Sequence, residues 1–233
     1  TEMDGKYMMS NNFEYSKILL NFSLENKINF IYASSGSVYG NGSKGFIEKR
    51  EGEYPLNVYG FSKFAFDNYV RNILPVSESQ VTGLRYFNVY GPQENHKKRM
   101  ASVAFHFFKQ LMETGKIKIF EGSKSFSRDF IYVLDIVKLN LFFYESKTNG
   151  IFNSGTGKAR SFFEIANIMK NLNGEGEIEE FAFPDDLKGK YQEFTEADLI
   201  NLRKAGYNNE FFYIEEGLSQ YFDLLTKNDG FHI

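Results

Sequence analysis

The sequence predicts an α/β protein whose centre is a doubly wound parallel sheet. Short apolar runs at residues 28–33 and 81–86 are bounded by polar residues, which is typical of buried parallel strands. Each run follows a longer segment with helical spacing of its apolar residues, at 7–25 and 57–74, and Pro75 ends the second segment. Because strands that alternate with helices form parallel sheets with helices on both faces, this order indicates the doubly wound class.

The rest of the chain continues the alternation of strands and helices. Thr195 is predicted to cap a helix that ends near Lys204, with Gly206 as its stop signal. Further strands are predicted at 117–120, 128–133, 150–153 and 178–183, and further helices at 101–114, 135–144, 162–172 and 214–225. Neither an internal repeat nor a low-complexity linker divides these elements.

Composition restricts the classes of function. The 233 residues carry a formal net charge of −3, and their one short basic run, at 96–99, gives no case for nucleic-acid binding. The lack of cysteine excludes disulfides, thiolate zinc sites and cysteine nucleophiles, and it fits a reducing compartment. No apolar run approaches the roughly 18 residues that span a bilayer, and no signal peptide opens the chain. We therefore expect a soluble, cytoplasmic protein with no membrane or nucleic-acid partner and no metal site.

A tyrosine and a lysine four residues apart, Tyr59 and Lys63, form the most informative pair in the sequence. On a helix with 3.6 residues per turn, this spacing places both side chains on the same face. A cation beside a phenol stabilises the phenolate, so the pair favours a tyrosine that acts as an acid or base nearer to neutral pH. Taken alone, the same pair is also typical of a surface lysine that covers a half-buried tyrosine.

Polar turns follow two of the predicted strands and indicate one shared site. The turn 34–40 is rich in hydroxyl groups and includes Ser35, and the turn 87–92 includes Asn88. In open parallel sheets the carboxyl ends of the strands form the edge where ligands bind. We therefore expect the hydroxyl of Ser35 to face the same pocket as the tyrosine and lysine pair.

Four motifs carry a resemblance to a known family. They are Ser-Ser-Gly-Ser-Val-Tyr-Gly at 34–40, Tyr-Gly-Phe-Ser-Lys at 59–63, Arg-Tyr-Phe-Asn-Val-Tyr-Gly-Pro at 85–92 and Arg-Asp-Phe-Ile-Tyr-Val-Leu-Asp at 128–135. With this set the chain resembles the extended short-chain dehydrogenase/reductases that act on nucleotide-diphosphate sugars. Among them it is most similar, from residue 1 to about 225, to the epimerases of ADP-heptose, through the stretches 4–9, 55–60, 96–97, 100–106, 120–123 and 187–192.

The resemblance implies a Rossmann-like sheet that binds NADP, and a reaction that inverts C6 of ADP-D-glycero-D-manno-heptose for lipopolysaccharide core synthesis. In that reaction a hydride leaves C6 for NADP and returns to the other face of a transient ketone, so there is no net redox change. Two acid/base groups on opposite sides of the sugar are implied, and Tyr59 and Lys97 match them. Lys63 matches the residue that holds the nicotinamide ribose and lowers the pKa of the phenol, and Ser35 matches a hydrogen-bond partner of the reacting oxygen.

The same resemblance implies which side chains surround the two ligands. Contacts with the cofactor fall on Asn11, Lys63, Val89 and Lys97. Contacts with the ADP-sugar fall on Asn88, Arg99, His106, Phe120, Glu121, Gly122, Ser123, Arg128 and Tyr191. Arg128 suits the diphosphate, because a guanidinium group can hold two phosphate oxygens. Arg99 stands where the family has a small serine, so we expect either that its loop swings outward or that the fit of the sugar differs at this position.

The resemblance also divides the chain into parts. Residues 1–90, with segments that return near 128–155, are expected to be the remainder of the NADP-binding domain, and 91–127 with 156–233 mainly a smaller α/β substrate-binding domain. The glycine-rich half of the nucleotide-binding domain, about 80 residues by fold analogy, is expected to lie outside these residues. We expect the 233-residue chain alone to be inactive and to bind NADP poorly. The family leads us to expect a homo-oligomer such as a pentamer.

Three alternatives remain open on the sequence alone. A sugar 4,6-dehydratase of the same superfamily carries an acidic pair after the hydroxyl residue, whereas this chain reads Ser-Gly-Ser at 35–37. A UDP-hexose 4-epimerase is harder to separate, and Lys97 is the residue that distinguishes it. The third is a non-catalytic dinucleotide-binding protein, which has no need for the complete set of Ser35, Tyr59 and Lys63, or an inactive fragment.

Overall fold

The computed structural model describes residues 4–184 and 192–228. Within these ranges the helices are α1 Gly5–Met8, α2 Tyr15–Glu25, α3 Val58–Ile73, α4 Val103–Thr114, α5 Val133–Ser146, α6 Phe162–Asn173, α7 Ile200–Lys204 and α8 Ile214–Asn228. The strands are β1 Phe30–Ser35, β2 Val81–Tyr86, β3 Asn88–Tyr90, β4 Lys116–Phe120, β5 Ser127–Tyr132, β6 Gly150–Ser154, β7 Ala159–Ser161 and β8 Glu177–Phe181. Among the residues described, every helix is too short or too polar to cross a membrane.

The central sheet consists of three parallel strands in the order β1-β2-β6. Its register places Ser35, Tyr86 and Ser154 side by side at the carboxyl end of the sheet. Helices α2 and α3 cover one face through a cluster that includes Phe66, and α5 covers the other face through a cluster that includes Phe143. A parallel sheet with helices on both faces confirms the predicted doubly wound architecture.

Two smaller sheets build the rest of the structure. Strand β5 pairs with β3 in parallel and with β7 in antiparallel orientation, and β4 pairs with β8 in parallel. Helices α4, α6 and α8 pack around these strands over a core rich in aromatic side chains, among them Phe105, Phe108, Phe130, Tyr132 and Tyr221. The residue boundaries of the two predicted domains stay a prediction.

Three details differ from the sequence-based prediction. A π-helical stretch, Met9–Glu14, lies between α1 and α2. Strands β3 and β7 have three residues each, which is too short to produce a periodic pattern. The prediction that Thr195 caps a helix is wrong, because its N–H donates to the carbonyl of Ser127 and its Oγ1 accepts from the N–H of Asp129, at 3.1 and 3.2 Å. This segment therefore runs beside β5, and the helix begins only at Ile200.

Candidate active site

A cavity of about 470 Å³ lies at the carboxyl end of β1 and β2. Strand β1 ends in the cavity wall, helix α3 contributes its first turns, and the segment from β3 to the start of α4 closes the other side. The residues of the predicted site that line this cavity are Ser35, Tyr59, Lys63, Asn88, Val89 and Lys97. The structure therefore brings the four predicted catalytic side chains together in one cavity.

Ser35 forms the link between the end of β1 and helix α3. Its Oγ accepts a hydrogen bond from the N–H of Ser37 at 3.2 Å and another from the Ser37 hydroxyl at 2.9 Å. These contacts cap the 3₁₀ turn Gly36–Tyr39 that follows the strand. The side chain of Ser35 also hydrogen-bonds the phenol of Tyr59, so the hydroxyl and the phenol face each other in the cavity.

Helix α3 begins where the sequence predicts because Asn57 caps it. The Oδ1 atom of Asn57 accepts a hydrogen bond from the N–H of Gly60 at 2.8 Å. Gly60 lies directly against the turn after β1, since a Cβ atom there would be 2.8 Å from the carbonyl oxygen of Ser37 and 3.1 Å from Cβ of Pro55. Glycine therefore allows the first turn of α3, which carries Tyr59, to approach the end of the strand.

Replacing Gly60 with alanine is expected to lower the free energy of unfolding by about 1–3 kcal/mol, the usual cost of overpacking. The added methyl group forces α3 away from the carbonyl of Ser37. Urea unfolding followed by circular dichroism measures the change. Gly5→Ala is the matched control, because its Cβ would meet only Cγ1 of Val58 at 3.7 Å and alanine is the better helix former. Equal effects of the two substitutions would contradict the role of Gly60 in this contact.

The pKa of Tyr59 differs from the prediction. Burial raises the pKa of the phenol above its ordinary value of 10.0, and the hydrogen bond with Ser35 only partly opposes this shift. The ammonium group of Lys63 does not lower the pKa of Tyr59. This ammonium group donates a hydrogen bond to the carbonyl oxygen of Ala33 at 2.9 Å. The expectation of a phenol with a lowered pKa is therefore wrong for this structure, because desolvation is the largest influence on the phenol. Tyr59 is protonated at neutral pH.

Lys63 is suited to hold the ribose of a nicotinamide dinucleotide. Burial lowers the pKa of its ammonium group below the ordinary value of 10.5, and the carboxylate of Asp67, one turn further along α3, opposes the shift. An ammonium group has three N–H donors, and Lys63 uses one of them on Ala33. The other donors suit ribose hydroxyl groups at the cavity edge, so the side chains present fit the cofactor.

A buried charge network joins β1, β2 and α3 beneath the cavity, and the sequence analysis did not find it. The guanidinium group of Arg85 lies 2.8 Å from Asp67 and 2.6 Å from Glu53, and none of the three side chains is exposed. Asp67 also accepts hydrogen bonds from the hydroxyl groups of Tyr32 and Ser34, both at 2.9 Å. Because Ser34 lines the cavity, the network fixes the strand end that carries the site.

Lys97 reaches the cavity from the 3₁₀ turn Asn95–Met100. Its Nζ atom lies 3.4 Å from Oε1 of Glu94, a buried carboxylate that also lines the cavity. The sequence analysis missed Glu94. Its place three residues before a lysine was the only signal, and that spacing is common in ordinary ion pairs.

A second cavity, of about 300 Å³, adjoins the first and shares Val103 and Phe162 with it. Three residues predicted to contact the ADP-sugar, His106, Phe120 and Ser123, line this second cavity. Its walls consist largely of phenylalanine rings. Aromatic walls of this kind suit the flat face of a nucleobase.

Three further predicted residues lie beside the second cavity. Glu121 and Gly122 form the exposed turn after β4, next to Phe120. Arg128 is buried in β5, and its guanidinium group lies over the ring of Phe162, 5.5 Å from the ring centre. Their roles stay predictions.

The remaining predicted residues lie away from both cavities or outside the described ranges. Arg99 is exposed in the turn that carries Lys97 and lines neither cavity. Asn11 lies in the π-helical stretch, where its side chain donates to the carbonyl oxygen of Tyr7 at 3.0 Å. Tyr191 falls in the range 185–191, outside the described residues.

Comparison with known proteins identifies relatives of this chain. The model of the NAD dependent epimerase/dehydratase family matches residues 1–155. A protein of Brachyspira hyodysenteriae named ADP-L-glycero-D-manno-heptose-6-epimerase is 54% identical over 233 residues, which cover 99% of this chain and 73% of that protein.

Solved structures agree with this relationship. The Helicobacter pylori ADP-L-glycero-D-manno-heptose-6-epimerase superposes with a TM-score of 0.87 at 30% identity, covering 97% of this chain and 69% of its own. The UDP-glucose 4-epimerase of Thermotoga maritima, solved with UDP-glucose, superposes with a TM-score of 0.83 at 26% identity, covering 96% of this chain and 72% of its own. The shared fold is the Rossmann-like fold of these epimerases.

Proposed function

Because the chain belongs to the NAD dependent epimerase/dehydratase family, we propose that it inverts C6 of ADP-D-glycero-D-manno-heptose with bound NADP, for lipopolysaccharide core synthesis. The relative at 54% identity and the H. pylori structure both carry the name of an epimerase of ADP-heptose. The observation that carries the proposal is the single cavity lined by Ser35, Tyr59, Lys63 and Lys97. The family uses a nicotinamide dinucleotide, and the choice of NADP over NAD is part of the proposal.

Inversion at a carbon that carries a hydroxyl group requires proton transfer at the oxygen. NADP held by Lys63 would supply reversible hydride transfer at C6, so no other oxidant would be needed. The hydroxyl proton has to leave as the ketone forms, and a proton has to return as the alcohol forms again. Two acid/base groups that reach the sugar from different directions meet this requirement.

We assign these proton transfers to Tyr59 and Lys97. Tyr59 enters the cavity from helix α3, whereas Lys97 enters from the turn between β3 and α4. Each side chain accepts the hydroxyl proton of one epimer and returns a proton to the oxygen when the reaction runs in the other direction. Ser35, which hydrogen-bonds the phenol, is placed to hold the reacting oxygen beside Tyr59. Lys63 is assigned to the ribose of the cofactor.

The ADP part of the substrate is assigned to the second cavity. His106, Phe120 and Ser123 line it, and the shared wall at Phe162 connects it with the catalytic residues. Arg128, stacked on Phe162, is assigned to the diphosphate because a guanidinium group can bind two phosphate oxygens. In this proposal the nucleotide lies at one end and the sugar lies beside Tyr59.

A UDP-hexose 4-epimerase is the second candidate, and the likeness to the T. maritima enzyme favours it. Lys97 argues for the heptose, because it provides a second acid/base group beside Tyr59 in the same cavity. The two candidates share the cofactor and the tyrosine. They differ in the nucleotide and in the carbon that is inverted.

The direct test is incubation of the full-length protein with ADP-D-glycero-D-manno-heptose, with separation of the two C6 epimers by chromatography. We expect conversion to an equilibrium mixture without net consumption of NADP. Parallel incubations with UDP-glucose test the second candidate, and protein reconstituted with NADP or NAD tests the cofactor. Conversion of UDP-glucose alone would replace the proposal with the 4-epimerase, and conversion of neither sugar would overturn both.

A further inference from the structure

We infer that Glu94 is a positioning residue, which holds the ammonium group of Lys97 at the cavity for proton transfer. This inference rests on the proposed function. Glu94 has only 3% of its surface exposed, and it lines the same cavity as Tyr59 and Lys97. A buried carboxylate is costly unless hydrogen bonds and charges compensate it, so its contacts indicate what it is there to hold.

The carboxylate of Glu94 is fixed by groups from two helices. Its Oε1 atom accepts a hydrogen bond from the N–H of Ser102 at 2.9 Å. Its Oε2 atom accepts from the Ser102 hydroxyl at 2.6 Å and from the hydroxyl of Tyr221 at 3.2 Å. Ser102 caps the N-terminus of α4 and Tyr221 belongs to α8, so the carboxylate is anchored to the body of the protein.

Lys97, by contrast, is a long side chain with 44% of its surface exposed. An exposed lysine loses considerable rotamer entropy when it is held in one geometry. Two contacts with Glu94 restrict Lys97: the side-chain ion pair at 3.4 Å, and a hydrogen bond from its N–H to the carbonyl oxygen of Glu94 at 2.8 Å. A fixed anion that holds a flexible cation provides the preorganisation that proton transfer needs.

A purely structural role for Glu94 is the competing explanation. Helix α4 already has its own cap, because Oγ of Ser102 accepts a hydrogen bond from the N–H of Phe105 at 3.3 Å. Glutamine at position 94 keeps the size of the side chain and an oxygen for the N–H of Ser102. Its NH₂ group can donate to the hydroxyl oxygens of Ser102 and Tyr221. Glu94→Gln therefore removes the charge that holds Lys97 while it keeps the anchoring contacts.

The first test measures the ion pair without any enzyme activity. An amine-specific acylating reagent is applied at one fixed pH, and mass spectrometry compares the labelling of Lys97 with that of its neighbour Lys98. We expect Glu94→Gln to raise the ratio of Lys97 labelling to Lys98 labelling about threefold or more, because an amine released from a carboxylate reacts faster. Glu113→Gln, an exposed position of α4, is the matched control with an unchanged ratio. An unchanged ratio in Glu94→Gln would overturn the inference.

The second test is a double-mutant cycle on epimerisation. In the direction in which Lys97 donates the proton, we expect Glu94→Gln to lower kcat about tenfold with KM changed less than about twofold, and to cause no further loss in a Lys97→Met background. An equal loss in both backgrounds would show a structural role and overturn the inference. If Glu94→Gln does not fold, the same cycle is measured with Glu94→Asp, and an intermediate loss of kcat is expected. If the protein epimerises no sugar, the proposed function fails, and the labelling ratio still decides whether Glu94 holds Lys97.

Discussion

Replacing Tyr59 with phenylalanine is expected to lower kcat for epimerisation about 10²–10⁴-fold, the range that a positioned acid/base group contributes. The substitution removes one oxygen atom from a side chain that faces Ser35 in the cavity. The ring remains, so the affinity for the sugar nucleotide is expected to change less than about threefold. Initial rates of epimer formation and equilibrium binding of the substrate measure the two effects separately.

The substitution Tyr59→Phe is also expected to change how the rate of epimerisation depends on pH. Because burial raises the pKa of Tyr59, the phenol is protonated at neutral pH. In the direction that uses Tyr59 as a base, the rate is therefore expected to rise with pH, and this rise is expected to be absent in Tyr59→Phe. Tyr69→Phe is the control, since Tyr69 also lies on α3 but donates to Asn21 at 2.8 Å. Full activity of Tyr59→Phe would exclude the phenol from the chemistry.

Local patterns in the sequence were sufficient to predict the layout of the site. The start of α3 near residue 57 and the i, i+4 spacing of Tyr59 and Lys63 depend only on near neighbours, and the structure reproduces both. The carboxyl end of β1 follows from a short apolar run and the polar turn after it. The arrangement of these elements around one cavity then follows from the general rule for parallel sheets.

The parts that the sequence did not predict depend on contacts between distant residues. Glu94 is anchored by Tyr221, and Asp67 by Arg85. These partners lie too far apart in the sequence for a helical or strand pattern to predict the contact. The direction of the pKa shift of Tyr59 was wrong for the same reason, because desolvation depends on how completely the surrounding chain covers the phenol. Sequence spacing predicted a cation on the same helix face as the phenol, but not the burial of the phenol that raises its pKa.

The charge network beneath the site leads to the largest expected change in stability. Replacing Arg85 with methionine is expected to lower the free energy of unfolding by about 3–5 kcal/mol, the usual cost of leaving a buried charge unpaired. The loss is large because Arg85 is fully buried between the carboxylates of Asp67 and Glu53. Denaturant unfolding at neutral pH measures it. Lys27→Met is the control, since Lys27 and Glu78 pair at 3.2 Å with both side chains mostly exposed, and less than about 1 kcal/mol is expected.

The same network makes the stability of the folded protein depend on pH in the acidic range. Burial by itself would raise the pKa of Glu53, but the hydrogen bonds and charges of Arg71 and Arg85 hold it below the ordinary value of 4.5. A carboxylate with a lowered pKa in the folded state contributes stability above its unfolded pKa and loses it as the pH falls through the folded pKa. The wild-type protein is therefore expected to lose stability below about pH 4.5, and Arg85→Met to lose less over that window, because part of the stabilisation of Glu53 is already gone. Parallel pH profiles for the two proteins would show that Arg85 does not stabilise the buried carboxylate.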